Sequence, residues 1–189
     1  MKKKGFTIIE VVLVLAIAGL IFLMVFVALP NLQRTQRDTQ RRNDIDRLST
    51  MLTQYITNNR SLPEGASVIK ACVGGTEGSG CLSDAGVAFT GWDKFVASYM
   101  LADGQDVFED PSGDPYQIQL KTACDTTSGC IAEPNLSQAF SGAGIMVVQP
   151  GAKCSDNMED GLFTAVGGKR LFGVAMKLEG GGVYCVDNS

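Results

Sequence analysis

Apolar residues follow three different rhythms along the chain. From Phe6 to Leu29 they form an unbroken run that carries one charge, Glu10. A helix needs about 20 such residues to cross a hydrocarbon core, so residues 6–29 are expected to span a membrane. The apolar positions then become periodic. Ile45, Leu48, Leu52, Tyr55 and Ile56 recur at the spacing of one helix face. Residues 31–59 contain neither Pro nor Gly, and Asn58-Asn59-Arg60-Ser61-Leu62-Pro63 supplies an end signal. This predicts a helical stalk over 30–60 that continues into a head. Pro30, and more weakly Gly19, are expected to break or kink the helix. Gln33 to Asp44 is polar on every side and includes Arg34, Arg37, Arg41 and Arg42, which predicts a solvated stretch.

Beyond residue 60 the rhythm is that of short strands between Gly-rich turns. Thr90-Gly91-Trp92-Asp93 can start a short helix over Asp93–Leu101, with Phe95, Val96 and Tyr99 on one face. Strands are expected over Tyr116–Leu120, Gly144–Gln149, Leu171–Leu178 and Val183–Val186. Gly180-Gly181-Gly182 would join the last two as a hairpin. One long N-terminal helix, half transmembrane and half amphipathic, packed on an antiparallel sheet in a head over 61–189, is an α+β arrangement.

Charge divides the chain the same way. Lys2, Lys3 and Lys4 precede the apolar run. By the positive-inside rule they hold that end in the cytoplasm and put the C-terminus outside. Residues 61–189 hold seven basic and sixteen acidic side chains, a net of −9. A head of that sign is a poor ligand for nucleic acid, whose affinity for proteins comes mainly from basic residues. The chain has no His, which removes His-based triads and most zinc chemistry. No nucleophile stands with a base and no carboxylates form a recognisable pair, so an enzyme is not expected.

Glu10 decides how the N-terminus is read. A secretory signal cut after Ala18 would leave a greasy segment on a soluble product and put a carboxylate inside the signal's apolar core. A plain signal anchor leaves Glu10 unexplained, since a charge within a span costs a few kcal/mol and calls for a functional reason. The string Lys4-Gly5-Phe6-Thr7-Ile8-Ile9-Glu10 resembles the processing motif of type IV prepilins. The resemblance covers about 25 residues, on the scale of one membrane span. It implies that residues 1–5 are a leader removed after Gly5 by a membrane prepilin peptidase. It also implies that Phe6 becomes an N-methylated terminus and that Glu10 is needed for assembly. The implied life cycle starts in the cytoplasmic membrane, N-in and C-out, passes through a pilus assembly platform, and ends in an extracellular filament of like subunits. The order of helix and sheet also matches the pilin fold. Physics is consistent with these roles. Gly5 lets an extended leader pass close to a protease. Glu10 sits in a first helical turn, where the dipole favours negative charge. Pairing it with the Phe6 amine of a neighbouring subunit would reward one axial stagger over others, a register device.

Six cysteines lie after the span: Cys72, Cys81, Cys124, Cys130, Cys154 and Cys185. Downstream of an export signal they read as disulfides, with fifteen conceivable pairings. Proximity in sequence favours Cys72–Cys81 and Cys124–Cys130, which leaves Cys154–Cys185. Many pilins have a comparable C-terminal disulfide loop. Asp103, Asp106, Glu109, Asp110 and Asp114 form an acidic cluster with Gly104 and Gly113 among them. Oxygen ligands on a turn suit calcium, and Asp110–Tyr116 looks like a calcium-binding loop of major type II secretion pseudopilins. The spacing is not an EF-hand's, which favours an acidic exposed turn built by Asp, Pro and Gly. The expectation is therefore a filament subunit for adhesion, surface motility or uptake. The alternatives are a secretion pseudopilin, which three disulfides disfavour, and a membrane-tethered binding domain that does not polymerise.

Overall fold

The structure is a computed structural model. It describes residues 5–64, 91–101, 108–121, 123–124, 144–156 and 162–189, and the backbone of 68–70. The chain divides into two compact units, Met1–Arg37 and Asp38–Ser189.

Helix α1, Ile8–Asn59, contributes to both units. In the first unit its large apolar side chains are exposed, among them Phe22 and Phe26. This stretch is long and apolar enough to cross a membrane. Pro30 lies inside α1, so the expected break is not seen. A proline deletes one amide donor and crowds the carbonyl four residues back, yet α1 continues through it to Asn59. In the second unit α1 buries Ile45, Leu48, Leu52, Tyr55 and Ile56, the face foreseen from their spacing. Arg60 then turns the chain with a left-handed φ of 63° and donates its amide to Ile56 O at 2.7 Å. That is the bond of an αL cap, made without the usual glycine.

The second unit adds a five-stranded sheet. Its strands are β1 (Val68–Lys70), β2 (Gln117–Leu120), β3 (Ile145–Pro150), β6 (Phe172–Lys177) and β7 (Val183–Asp187), in spatial order β1-β2-β3-β6-β7. A two-stranded sheet pairs β4 (Ala152–Cys154) with β5 (Phe163–Ala165). Four strands fall where the pattern put them, and the 178–182 turn does join β6 to β7 antiparallel. One pairing departs from the antiparallel expectation: β2 runs parallel to β3, from Gln117↔Ile145 to Leu120↔Val148. The residues between these strands make that possible, because a parallel pair needs a crossover of a dozen or more residues. The short helix starts at Gly91, two residues earlier than expected. It runs as α2 (Gly91–Phe95), then widens into a π turn over Val96–Met100.

Alternation along β3 and β6 supplies two cores. Met146, Val148, Phe172, Val174 and Met176 face α1 and α2, where they meet Leu48, Leu52, Trp92 and Phe95. Ile145, Val147 and Ala175 face the other way, onto Phe163, Leu162 and Ala152 around the small sheet. Both central strands are therefore covered on both faces, which is why they read as apolar runs. An aromatic group ties α2 to α1, with Phe95 edge-on to Tyr55 at 5.7 Å and stacked on Tyr99 at 5.5 Å.

Candidate processing and assembly site

Gly5, Phe6 and Thr7 precede α1. Thr7 O accepts the amides of Glu10 at 3.1 Å and Val11 at 3.3 Å, which closes the first turn. Glu10 is the acid of that turn. Phe6 is 84% exposed and Glu10 is exposed as well, so both side chains are open on this unit. Among the described residues no side chain bonds to the Glu10 carboxylate. A single charge within the apolar run of residues 6–29 is costly in lipid, and among the described residues no side chain supplies its counter-charge.

Of the acidic cluster, Asp103 and Asp106 lie outside the described residues. Glu109, Asp110 and Asp114 belong to a tight turn. Asp110 N donates to Asp114 O, and Gly113 N to Asp110 O, both at 2.8 Å. Glu109 and Pro115 pair across the base of the turn, and Gly113 supplies the left-handed φ of 92°. Glu109, Ser112, Gly113 and Asp114 are exposed, while Asp110 is 2% exposed. Among the described residues no three acidic, Cys or His side chains converge to hold a metal ion.

Asp110 points instead at Arg41, a contact the sequence reading missed. Arg41 Nε donates to Asp110 Oδ2 at 2.7 Å and Arg41 Nη2 to Asp110 Oδ1 at 3.0 Å, a two-pronged charged pair. Arg41 Nη1 also reaches Asp38 Oδ1 at 3.4 Å and Glu179 Oε2 at 3.5 Å. Asp38 in turn accepts the amides of Glu179 and Gly180, each at 2.8 Å, which fastens the β6–β7 turn to α1. A Cβ on Gly180 would meet Asp38 Oδ2 at 2.8 Å, so the turn needs a bare backbone there. Beside this group, Tyr116 donates its hydroxyl to Asp44 at 2.7 Å. The solvated stretch expected over Gln33–Asp44 thus fails at Asp38 and Arg41, which are both buried. The only local clue was an Asp and an Arg three apart on one helix face. Nothing in the sequence points to a partner 69 residues away.

These contacts set the charge states. Burial alone would push the Asp110 carboxyl up, but hydrogen bonds from Arg41 and Ser112 outweigh it and hold the group below its ordinary value. The Asp110 hydrogen bond raises Arg41 further, against the effect of burial. Asp44 moves the other way: burial raises it in spite of the Tyr116 hydrogen bond.

Cys154 and Cys185 form a disulfide across 31 residues. It links β4 to β7, and Asp187 Oδ2 accepts the Cys154 amide at 2.7 Å next to it. Cys124 is also disulfide-bonded. Cys72, Cys81 and Cys130 lie outside the described residues.

A long N-terminal helix, apolar in its first half and with one carboxylate in its first turn, is followed by a mixed β-sheet; together these define a chain of α+β, pilin-like architecture. Residues 1–26 match the family model of the prokaryotic N-terminal methylation motif, the class III signal peptide of type IV pilin-like proteins. The match supports a type IV pilin-like or pseudopilin precursor that is anchored in a membrane before assembly. No curated protein and no solved structure matches the chain.

Proposed function

We propose that the chain is a structural subunit of a type IV pilus. The observation that carries this is the match of residues 1–26 to the methylation motif; on this reading Gly5 and Phe6 flank the processed bond and Glu10 serves assembly. Hydrolysis of the Gly5–Phe6 bond by a prepilin peptidase releases the basic leader 1–5 and frees the Phe6 amine, which is then methylated. Residues 6–29 hold the subunit in the cytoplasmic membrane, residues 30–60 form the stalk that enters the head, and residues 61–189 stand outside. An assembly platform lifts successive copies into an extracellular filament for adhesion, surface motility or uptake. Glu10 selects the stagger by pairing with the cationic terminus of a neighbouring copy. Its exposure and its lack of a side-chain partner among the described residues support that role. The three disulfides expected in the head favour a surface pilus over a secretion pseudopilus, because an exposed fibre has no compartment to shelter it.

The test is Glu10→Ala in cells that make surface filaments. Membrane insertion should be unchanged or improved, because a charge leaves the lipid. Filaments should be lost or become sparse. Filaments of normal number and length would refute the register role.

A further inference from the structure

The acidic turn contains an ionic device that its sequence does not announce. Three carboxylates from three distant segments converge on one guanidinium: Asp38 on α1, Asp110 in the 110–114 turn, and Glu179 in the β6–β7 turn. We propose that Arg41 is the resident cation of the head: it neutralises and bridges these carboxylates as a divalent metal ion would, so the head keeps its fold without calcium.

The hydrogen-bond inventory carries the argument. Calcium takes six to eight oxygen ligands and draws heavily on carboxylates. Asp110 Oδ1 already accepts from Arg41 Nη2 at 3.0 Å, Ser112 N at 3.0 Å and Ser112 Oγ at 2.7 Å. Asp110 Oδ2 is taken by Arg41 Nε at 2.7 Å. Asp38 Oδ1 serves the Glu179 amide and Arg41, and its Oδ2 serves the Gly180 amide. Calcium would have to displace a guanidinium that is 3% exposed, and would then lie beside a buried positive charge with no room to leave. Gly144 closes the other side, since a Cβ there would sit 3.2 Å from Asp110 Cβ. An arginine also does here what a lysine would not. Its planar fork spans both oxygens of Asp110 and still has a nitrogen for Asp38 and Glu179.

The arrangement has a consequence that a plain acidic turn does not. With Arg41 truncated, Asp38, Asp110 and Glu179, which form no metal site as the fold stands, lose their counter-charge and are free to close on a divalent cation, on which the head should then depend. The experiment follows thermal unfolding of the full-length chain in detergent, in calcium chloride and in EDTA, for the wild type, Arg41→Ala, Arg41→Met and Arg41→Lys. The wild type should melt at the same temperature in both buffers. Arg41→Ala should melt about 10 °C lower in EDTA, from the usual cost of stranding a buried charge, and calcium should recover part of the loss. Arg41→Met fills the space with an apolar chain and should gain less from calcium. Arg41→Lys keeps the charge without the fork and should fall between the wild type and Arg41→Ala, a comparison that survives if the alanine variant fails to fold. A wild type that melts lower in EDTA overturns the proposal. So does an Arg41→Ala protein that melts like the wild type, or one that gains nothing from calcium.

Discussion

Replacing Cys185 with Ser tests how the last strand is held. The disulfide closes a span of 31 residues, for which the chain-entropy relation gives about 3.7 kcal/mol at 25 °C. The expected Cys72–Cys81 loop is shorter, and the same relation gives it about 2.6 kcal/mol. A terminal strand with no other tie would fray without its disulfide. The structure shows other ties. β7 pairs with β6 over five residues, from Gly173↔Asp187 to Lys177↔Val183. Asn188 Oδ1 accepts the Phe172 amide at 2.9 Å, and its Nδ2 donates to Arg170 O at 2.8 Å. Most of the loss should therefore come from a freer unfolded chain rather than from a loosened strand. For a unit of this size, 1 kcal/mol moves the melting temperature by about 2–4 °C. Cys185→Ser should then melt about 7–15 °C below the wild type, and about 2–4 °C below Cys81→Ser. Circular dichroism melts give the ranking, and hydrogen exchange at Val183–Val186 should show protection largely kept at 25 °C. Equal melting of the two variants would refute the loop-length reasoning. Loss of exchange protection confined to β7 would show that the disulfide, and not the ladder, holds the strand.

Two further outcomes follow from the head. Gly151 has a φ of 72°, and a Cβ there would lie 2.5 Å from the Cys124 carbonyl oxygen. Gly151→Ala should therefore cost about 2–3 kcal/mol, from a left-handed residue and a backbone clash together, which a denaturant titration would read directly. The acid limb of stability should depend on Arg41. Asp110 is held below its ordinary 3.8 in the fold, so its contribution is fully present above that value and is lost as pH falls through the lowered one. Asp187 acts in the same direction, while half-buried Asp44 opposes both. In Arg41→Ala, burial acts on Asp110 with only Ser112 against it, so the sign reverses and the variant should gain on the wild type between pH 7 and pH 5. A constant gap between the two across that range would contradict the assignment.

The long helix was legible because two strong signals agree, an unbroken apolar run and then a periodic face. Pro30 does not end the helix, because the hydrogen bonds before and after it do not need its missing amide. β3 and β6 follow runs of Val, Ile, Met and Phe set between glycines, as buried strands do, while the stretch predicted for β2 alternates Tyr116, Ile118 and Leu120 with Gln117 and Gln119. The direction of β2 was not legible, since a short strand carries no mark of which way its neighbour runs. β4 and β5 are three residues each, too short to have a rhythm. The Arg41 cluster was hidden for a different reason. A polar helix face looks the same whether water or a distant carboxylate receives it, and only the fold brings Asp110 and Glu179 within reach.

Assembly as a pilus subunit requires cleavage of the Gly5–Phe6 bond, and an intact mass of the protein recovered from surface filaments tests it directly. The expected species is residues 6–189 carrying one added methyl group, with three disulfides' worth of hydrogen missing. A chain that still begins at Met1, or one that begins at Gly19, would contradict the reading of this protein as a processed pilus subunit.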